Sequence, residues 1–419
     1  MGARIVTTNR RTRLATLVVV LLAAGHASAQ TRIAAGQYPA QRHHPDASHV
    51  QAPPPPAFGA PLPGLTPVEI KAFAAGLDEF RNVETVRSGL GPIYNNTSCA
   101  ACHSRPAIGG ASNIVVTRFG RTVNGTFDPL TNLGGTLLQD KAIAAGAREV
   151  VPSTANVVAH RQTTPLFGMG LMEAIPDKAI LANITRGQQQ GLHGTASMVA
   201  DVTTGKTRVG RFGWKAQQAT LLAFAGDAYL NEMGITNRFF PTENAPNGNQ
   251  ARLAQYDKVA DPEDVVDPKT GRSDIDALAD FMRYLAPPPP TPSNPAADRG
   301  RRLFDSAGCS GCHTPVMQTG PNAIAALDRK PVHLWSDLLL HDMGSLGDGI
   351  VQNQAAGRQI RTAPLWGLRA SAPWLHDGRA ATIDDAIRLH DGDARRSRDA
   401  YLHLQEQQRQ QILAFLDTI

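Results

Sequence analysis

Cys99 and Cys102 are followed at once by His103, and Cys309 and Cys312 by His313. Two cysteines three apart can bond the two vinyl-derived carbons of one protohaem, and the histidine that follows then lies under the iron as its proximal ligand. The chain holds four cysteines, and the two motifs consume all of them. A zinc site built from both pairs, or a thioredoxin-like redox pair at either motif, would use the same cysteines but give the trailing histidines no part. The reading is two covalently bound c-type haems. Cys99, Cys102, His103, Cys309, Cys312 and His313 bind the cofactor, and His103 and His313 ligate the irons.

Such motifs need helices to hold them. Thr66, Pro67 and Glu69 combine an N-cap, a first-turn proline and a capping-box carboxylate. Ile70, Phe73, Leu77 and Phe80 then recur on one helical stripe. Gly76 and Phe80 precede the first motif, and Gly300 and Phe304 precede the second at the same spacing. That pairing resembles the N-terminal helix of cytochrome c domains, where a small residue lets a second helix cross closely, and it suggests an internal duplication. A helix carrying Ile275, Leu278, Met282 and Leu285 is expected before the prolines at 287–290, a capped one from Thr382, and a last one bearing Ile412, Leu413, Phe415 and Leu416.

The chain has 419 residues, 42% hydrophobic and 18% charged, enough for two or three small domains. Arg4, Arg10, Arg11 and Arg13 precede an apolar run over 14–25 and a small-x-small pattern at 27–29, which reads as a secretory signal peptide at 1–29 cleaved near Ala29. Its removal takes four basic residues and brings the formal +5 close to neutral. No later stretch is apolar for long enough to insert stably in a membrane, and no clustered basic face suggests nucleic acid. A periplasmic or secreted location is expected. Residues 30–64 read as a Pro-rich flexible leader, 65–285 as an N-terminal cytochrome c-like domain with a long insertion, 286–295 as a Pro-rich linker and 296–419 as a C-terminal cytochrome c-like domain. The expected fold class is mainly α, with two cytochrome-c-like haem domains and a loop-rich insertion containing a few short strands, such as one near 113–117.

The sixth coordination position decides what a haem does: a thioether or imidazole closes the iron for electron transfer, and an open position admits a small oxidant. After His313 the thioethers are Met317, too near in sequence to reach the other haem face, and Met343. The segments LLLHDMG (338–344), RTAPLWG (361–367) and WLHDGR (374–379), with LFGMGLMEAIP (166–176), GRFGWK (210–215) and EMGIT (232–236), resemble the signatures of the dihaem oxidoreductase family, peroxidase-like and also labelled thiol-oxidoreductase-like. The resemblance runs over about 65–419. It implies Met343 as sixth ligand at His313, an electron-transfer role for that site, and a reactive site at His103. Glu173, a carboxylate in an apolar segment, is the preferred acid/base there, with a raised pKa; pairing with Arg208 or Arg211 is the structural alternative. His160, Met169, Met172 and Met233 are candidate displaceable ligands at His103. Trp214, Trp366 and Trp374 are the candidate aromatics between the haems. His341, His376 and Arg379 are candidates to meet ligands or propionates.

The expected function is therefore a peroxidase-like dihaem oxidoreductase that takes electrons from a small redox donor protein at the C-terminal haem and passes them to the N-terminal one, where peroxide or another small oxidant is reduced. The alternative from a different class is a dihaem electron carrier with both irons closed. No cysteine is left over for thiol chemistry by the protein itself.

Overall fold

The capping box at Thr66 forms as expected: its hydroxyl accepts from Glu69 N–H, and the Glu69 carboxylate accepts from Thr66 N–H at 2.7 Å. Helix α1 (Pro67–Arg81) follows. The structure is a computed structural model and describes residues 56–419; the proposed signal peptide and most of the leader lie outside the described residues. The other helices that matter for the sites are α2 (Leu221–Met233), α3 (Asp274–Tyr284), α4 (Pro295–Ser306) and α5 (Glu406–Leu416).

Helix α1 crosses α3, and α4 crosses α5. A Cβ on Gly76 would stand 2.2 Å from the Ala277 carbonyl oxygen, and one on Gly300 would stand 1.8 Å from that of Gln411. Only glycine permits either approach. The aromatic that follows each glycine also has a matching place. The Phe80 ring lies 4.6 Å from Phe281 and 5.9 Å from His103; the Phe304 ring lies 5.4 Å from Phe415 and 6.2 Å from His313. The duplication suggested by sequence spacing recurs as one packing motif used twice. The capped turn at Thr382 also forms, opening the helix Ile383–Arg388.

The fold is not all-helical. Five small antiparallel sheets occur among the described residues. The largest joins β1 (Val115–Val123), β2 (Thr126–Asp128) and β3 (Val157–Gln162) in the order β2-β1-β3. Near 113–117 the strand begins two residues later than the β-branched run suggested and continues to Val123. The pair β4 (Leu340–Asp342) and β5 (Gln359–Arg361) carries Met343 just past its end, with Leu340 opposite Arg361.

The end of the leader and the proline stretch both make backbone hydrogen bonds to distant parts of the chain. At the end of the leader, Leu62 N–H donates to Tyr284 O at 2.7 Å and Leu62 is buried. In the proline stretch, Ala286 N–H donates to Ala60 O at 3.0 Å and Thr291 N–H to Thr418 O at 3.0 Å. Those hydrogen bonds give the backbone partners that prolines cannot supply as donors. All the described residues fall in one compact unit.

Candidate functional site

Ser98 caps a single helical turn, Cys99–Cys102, its hydroxyl accepting from Ala101 N–H at 3.2 Å. The turn places His103 so that its N–H donates to Cys99 O at 3.0 Å. The second motif repeats this: Cys309–Gly311 is a 3-10 turn, and His313 N–H donates to Cys309 O at 3.0 Å. Each imidazole then places Nδ1 at a backbone carbonyl, His103 at Gly110 O (3.1 Å) and His313 at Trp335 O (3.0 Å). A carbonyl only accepts, so Nδ1 carries the proton in both rings and Nε2 keeps its lone pair. Metal-ligating histidines are commonly oriented in this way. Burial lowers both pKa values to about 4, with nearby His390 adding to the effect at His313, so both rings are neutral at physiological pH.

Each motif opens onto its own cavity. The His313 cavity, about 1880 Å³ including its open mouth, is walled by Cys309, Cys312, Met343 and mainly apolar side chains. The His103 cavity, about 1220 Å³ on the same basis, is walled by Cys99, Cys102 and a more polar set that includes Arg118, Asp227 and Glu232. The cysteine pairs line different cavities, which argues against one shared zinc site. Burial pushes the Cys99 and Cys309 thiols up to about 12, the opposite of an activated redox cysteine.

The walls have the chemistry of a haem pocket. Buried polar atoms stand without partners on both: His376 Nε2 at the His313 cavity, Arg118 Nε and Gln217 Oε1 at the His103 cavity, and Gln162 Oε1 on both. Unpaired buried polar atoms are costly unless an occupant meets them. With neutral Nε2 lone pairs, a cysteine pair at each cavity and unpartnered polar atoms on the walls, the residues fit two haems, which Cys99, Cys102 and His103 and Cys309, Cys312 and His313 would hold.

Residues 162–164 and Trp214 line both cavities and form the wall between them. This wall is built by the end of β3, where Gln162 N–H donates to His376 O at 2.7 Å and Trp214 Nε1 donates to Gln162 O at 2.8 Å. Behind it lies a buried ion triad. Asp348 meets Arg161 at 2.8 Å and Lys215 at 3.0 Å, with all three side chains at most 5% exposed.

Met343 lines the His313 cavity, and Met317 lines neither, being buried on a short strand paired with residues 331–332. Of the three tryptophans, Trp214 alone reaches both cavities; Trp366 and Trp374 line that of His313. Met233 lines the His103 cavity, while Met169 and Met172 line the other and His160 is exposed on β3. His341 and His376 line the His313 cavity. His341 is committed to Asp337 (2.9 Å) and Asp393 (3.1 Å); burial lowers its pKa, but those carboxylates outweigh burial and raise it to about 12. Arg379 pairs with Asp377.

Glu173 is not brought to the His103 cavity. One oxygen accepts from Leu221 N–H at 2.7 Å, in the first turn of α2, and the other pairs with Arg283 Nε at 3.0 Å. The carboxylate is thus paired with neither Arg208 nor Arg211, although Arg211 Nη1 donates to the Glu173 backbone carbonyl at 3.2 Å. A free helix N–H and a nearby guanidinium satisfy this carboxylate fully. The carboxylates that do line the cavity, Asp227 and Glu232, come from α2. Burial raises the pKa of both. Their signal was present in the sequence as acidic residues within the otherwise apolar LLAFAGDAYLNEM, a pattern that an amphipathic stripe does not explain.

No curated relative matches the chain. Among solved structures it is remotely similar to a Kuenenia stuttgartiensis hydrazine synthase (15% identity, TM-score 0.38, covering 93% of this chain and 100% of that one). It is similar at the same level to a MauG-like protein associated with microbial copper homeostasis (17%, 0.37, 89% and 95%). A third is the diheme peroxidase BthA from Burkholderia thailandensis (14%, 0.37, 83% and 85%). Residues 150–419, which take in the second motif and begin after the first, match the family described as "Di-haem oxidoreductase, putative peroxidase", and the chain belongs to that family of dihaem proteins.

Proposed function

We propose that this chain is a c-type dihaem peroxidase, exported to the periplasm or beyond, with covalent attachment at Cys99 and Cys102 and at Cys309 and Cys312. His103 and His313 would ligate the two irons, and Met343, which lines the His313 cavity, would supply a thioether to the second. When bound, the two haems supply stored electrons and an iron at which a peroxide O–O bond is reduced. Hydrogen peroxide takes two electrons and two protons and leaves as two waters.

The observation that carries this reading is where the proton-handling groups lie. Asp227 and Glu232 line the His103 cavity, and among the described residues no carboxylate lines that of His313. Burial favours the protonated form of both acids, so each can hold a proton for the leaving oxygen. Asn95 Nδ2 donates to Glu232 Oε2 at 2.8 Å and orients it. Arg118, its Nε unpartnered, offers a cation to an anionic oxygen. Trp214, in the wall between the cavities, is the aromatic placed for electron passage from the His313 side, which a small donor protein feeds.

The test is Glu232→Gln and Asp227→Asn, assayed for peroxide turnover with both haems incorporated. At least one should fall by about 10²–10⁴-fold, the usual worth of a positioned acid. Unchanged turnover in both variants would remove the assignment. A second reading, a dihaem carrier, rests on Met233 and Met282, which also line the His103 cavity and could close its iron. Low-temperature EPR of ferric and half-reduced protein separates the two. A high-spin or cyanide-responsive signal supports the peroxidase, and two low-spin signals indifferent to cyanide support the carrier.

A further inference from the structure

Beyond α2 the chain carries a second acidic group that the haem sites do not use. One carboxylate oxygen from each of Glu243, Asp261 and Glu263 can be chosen so that all lie within 4.8 Å of one another. At that separation ionised carboxylates repel, and a solvated surface cluster would spread apart. This one is held. Glu243 is 7% exposed, its Oε1 accepts from Asn244 N–H at 2.9 Å, and its Oε2 is buried with no hydrogen-bond partner.

The charges that act most strongly on Glu243 are Glu263, Asp261 and Asp257, all carboxylates. Buried Thr236 bridges the cluster: its backbone N–H donates to Glu263 Oε2 at 2.7 Å, and its hydroxyl reaches two of the carboxylates. That hydroxyl meets Asp261 Oδ1 at 2.8 Å and also Glu263 Oε2. A hydroxyl has one proton, so it can donate to only one of these two oxygens at a time. The other then faces a lone pair. Asp261 is exposed and Glu263 is half-buried, which leaves the group open to solvent on one side.

We propose that Glu243, Asp261 and Glu263 bind a divalent cation, and that Ca²⁺ is the ion they suit. The donors are all oxygen, which fits a hard cation. The irregular loop and open face fit the variable, partly hydrated shell of Ca²⁺ better than the tight octahedron of Mg²⁺. The cation would meet the orphaned Glu243 oxygen and relieve the oxygen–oxygen contacts around Thr236. Thr236 lies four residues beyond Glu232, whose backbone carbonyl accepts from Asn95 and Asn96 N–H at 2.7 and 3.2 Å. The ion therefore anchors the segment that ends the wall of the His103 cavity.

The test uses the full-length protein with both haems incorporated, stripped with EGTA, then titrated with CaCl₂ by calorimetry and melted with and without Ca²⁺. The expected result is saturable binding of one Ca²⁺ per chain and a melting temperature raised by a few degrees once free Ca²⁺ exceeds Kd by about 100-fold. Glu243→Gln should lose the calcium increment while melting close to the parent in EGTA, where burial and the neighbouring carboxylates keep Glu243 protonated. Glu263→Gln should likewise lose the increment. No heat of binding at calcium well above the roughly 10⁻³ M of the weakest natural modules, with parent melting curves that coincide in EGTA and Ca²⁺, would overturn the proposal and leave a cluster held by shared protons.

Discussion

Gly300→Ala tests whether the helix crossing that carries the second haem motif is as close as the structure has it. The new Cβ would stand 1.8 Å from Gln411 O and 2.4 Å from Gln411 C, both backbone atoms that cannot rotate away. Restoring an ordinary contact of about 3.5 Å requires α4 and α5 to separate by roughly 1.7 Å at this point, which forfeits much of the dispersion in that contact. Overpacking usually costs 1–3 kcal/mol, and with an unyielding backbone the upper figure applies, so about 3 kcal/mol is expected. Gly187 is the control. It is helical, and its Cβ would meet only Leu192 Cβ, at an ordinary 3.5 Å. There alanine should stabilise by about 0.5–1 kcal/mol through backbone entropy. The assay is denaturant unfolding of both variants with haem incorporated, together with the visible spectrum, because Phe304 one turn on touches the His313 ring. Gly76→Ala should repeat the loss in the first half, against the Ala277 carbonyl. A Gly300→Ala protein as stable as its parent would refute the crossing and the duplication argument built on it.

Asp348→Ala leaves Arg161 and Lys215 buried without their shared partner and should cost about 3–5 kcal/mol in urea unfolding; a loss below about 1 kcal/mol would contradict the triad. Burial tends to raise the Asp348 pKa, but Arg161 and Lys215 outweigh it and hold it below the ordinary 3.8. The stability it contributes is thus present above pH ~4 and is lost as pH falls through the folded value, which a pH series on parent and variant would read. Glu79 behaves oppositely: burial, with Asp274 and Glu84 nearby, raises it from 4.5 to about 7. Folding then takes up a proton between those values, so stability declines as pH rises from 4.5 to 7, and Glu79→Gln should flatten that decline; an unchanged slope would move the effect elsewhere. Met343→Ala should open the His313 site to cyanide and lower its reduction potential, because thioether ligation favours the ferrous state; an unchanged visible spectrum in both oxidation states would place the sixth ligand elsewhere. Glu173→Gln should weaken folding through Arg283 and the first turn of α2 while sparing peroxide turnover, read by melting and by steady-state assay.

Local chemistry was legible in the sequence wherever one segment held all of it. The CxxCH spacing, the Thr66 and Thr382 caps and the Gly-x-x-x-Phe pairs each depend on residues within a turn or two, and each has its expected local geometry. The family could be read for a similar reason, since several rare short segments occur in order. What needed the tertiary structure was the partner of each side chain. Glu173 looked like an acid because its own segment is apolar, but a guanidinium 110 positions away and a helix N–H 48 away neutralise that environment. Asp227 and Glu232 carried no site reading in the sequence, and only the packing of α2 beside the Cys99–Cys102 turn makes them cavity walls. Trp214 could not be chosen over Trp366 and Trp374 by spacing, because lying between two cavities depends on both. The prolines read as a helix stop and linker, but that Ala286 and Thr291 N–H donate to Ala60 and Thr418 carbonyls depends on chain far away in sequence. Sequence determines which chemistry a short segment can present; the crossing of segments far apart determines what that chemistry faces, because burial and charge act through space rather than along the chain.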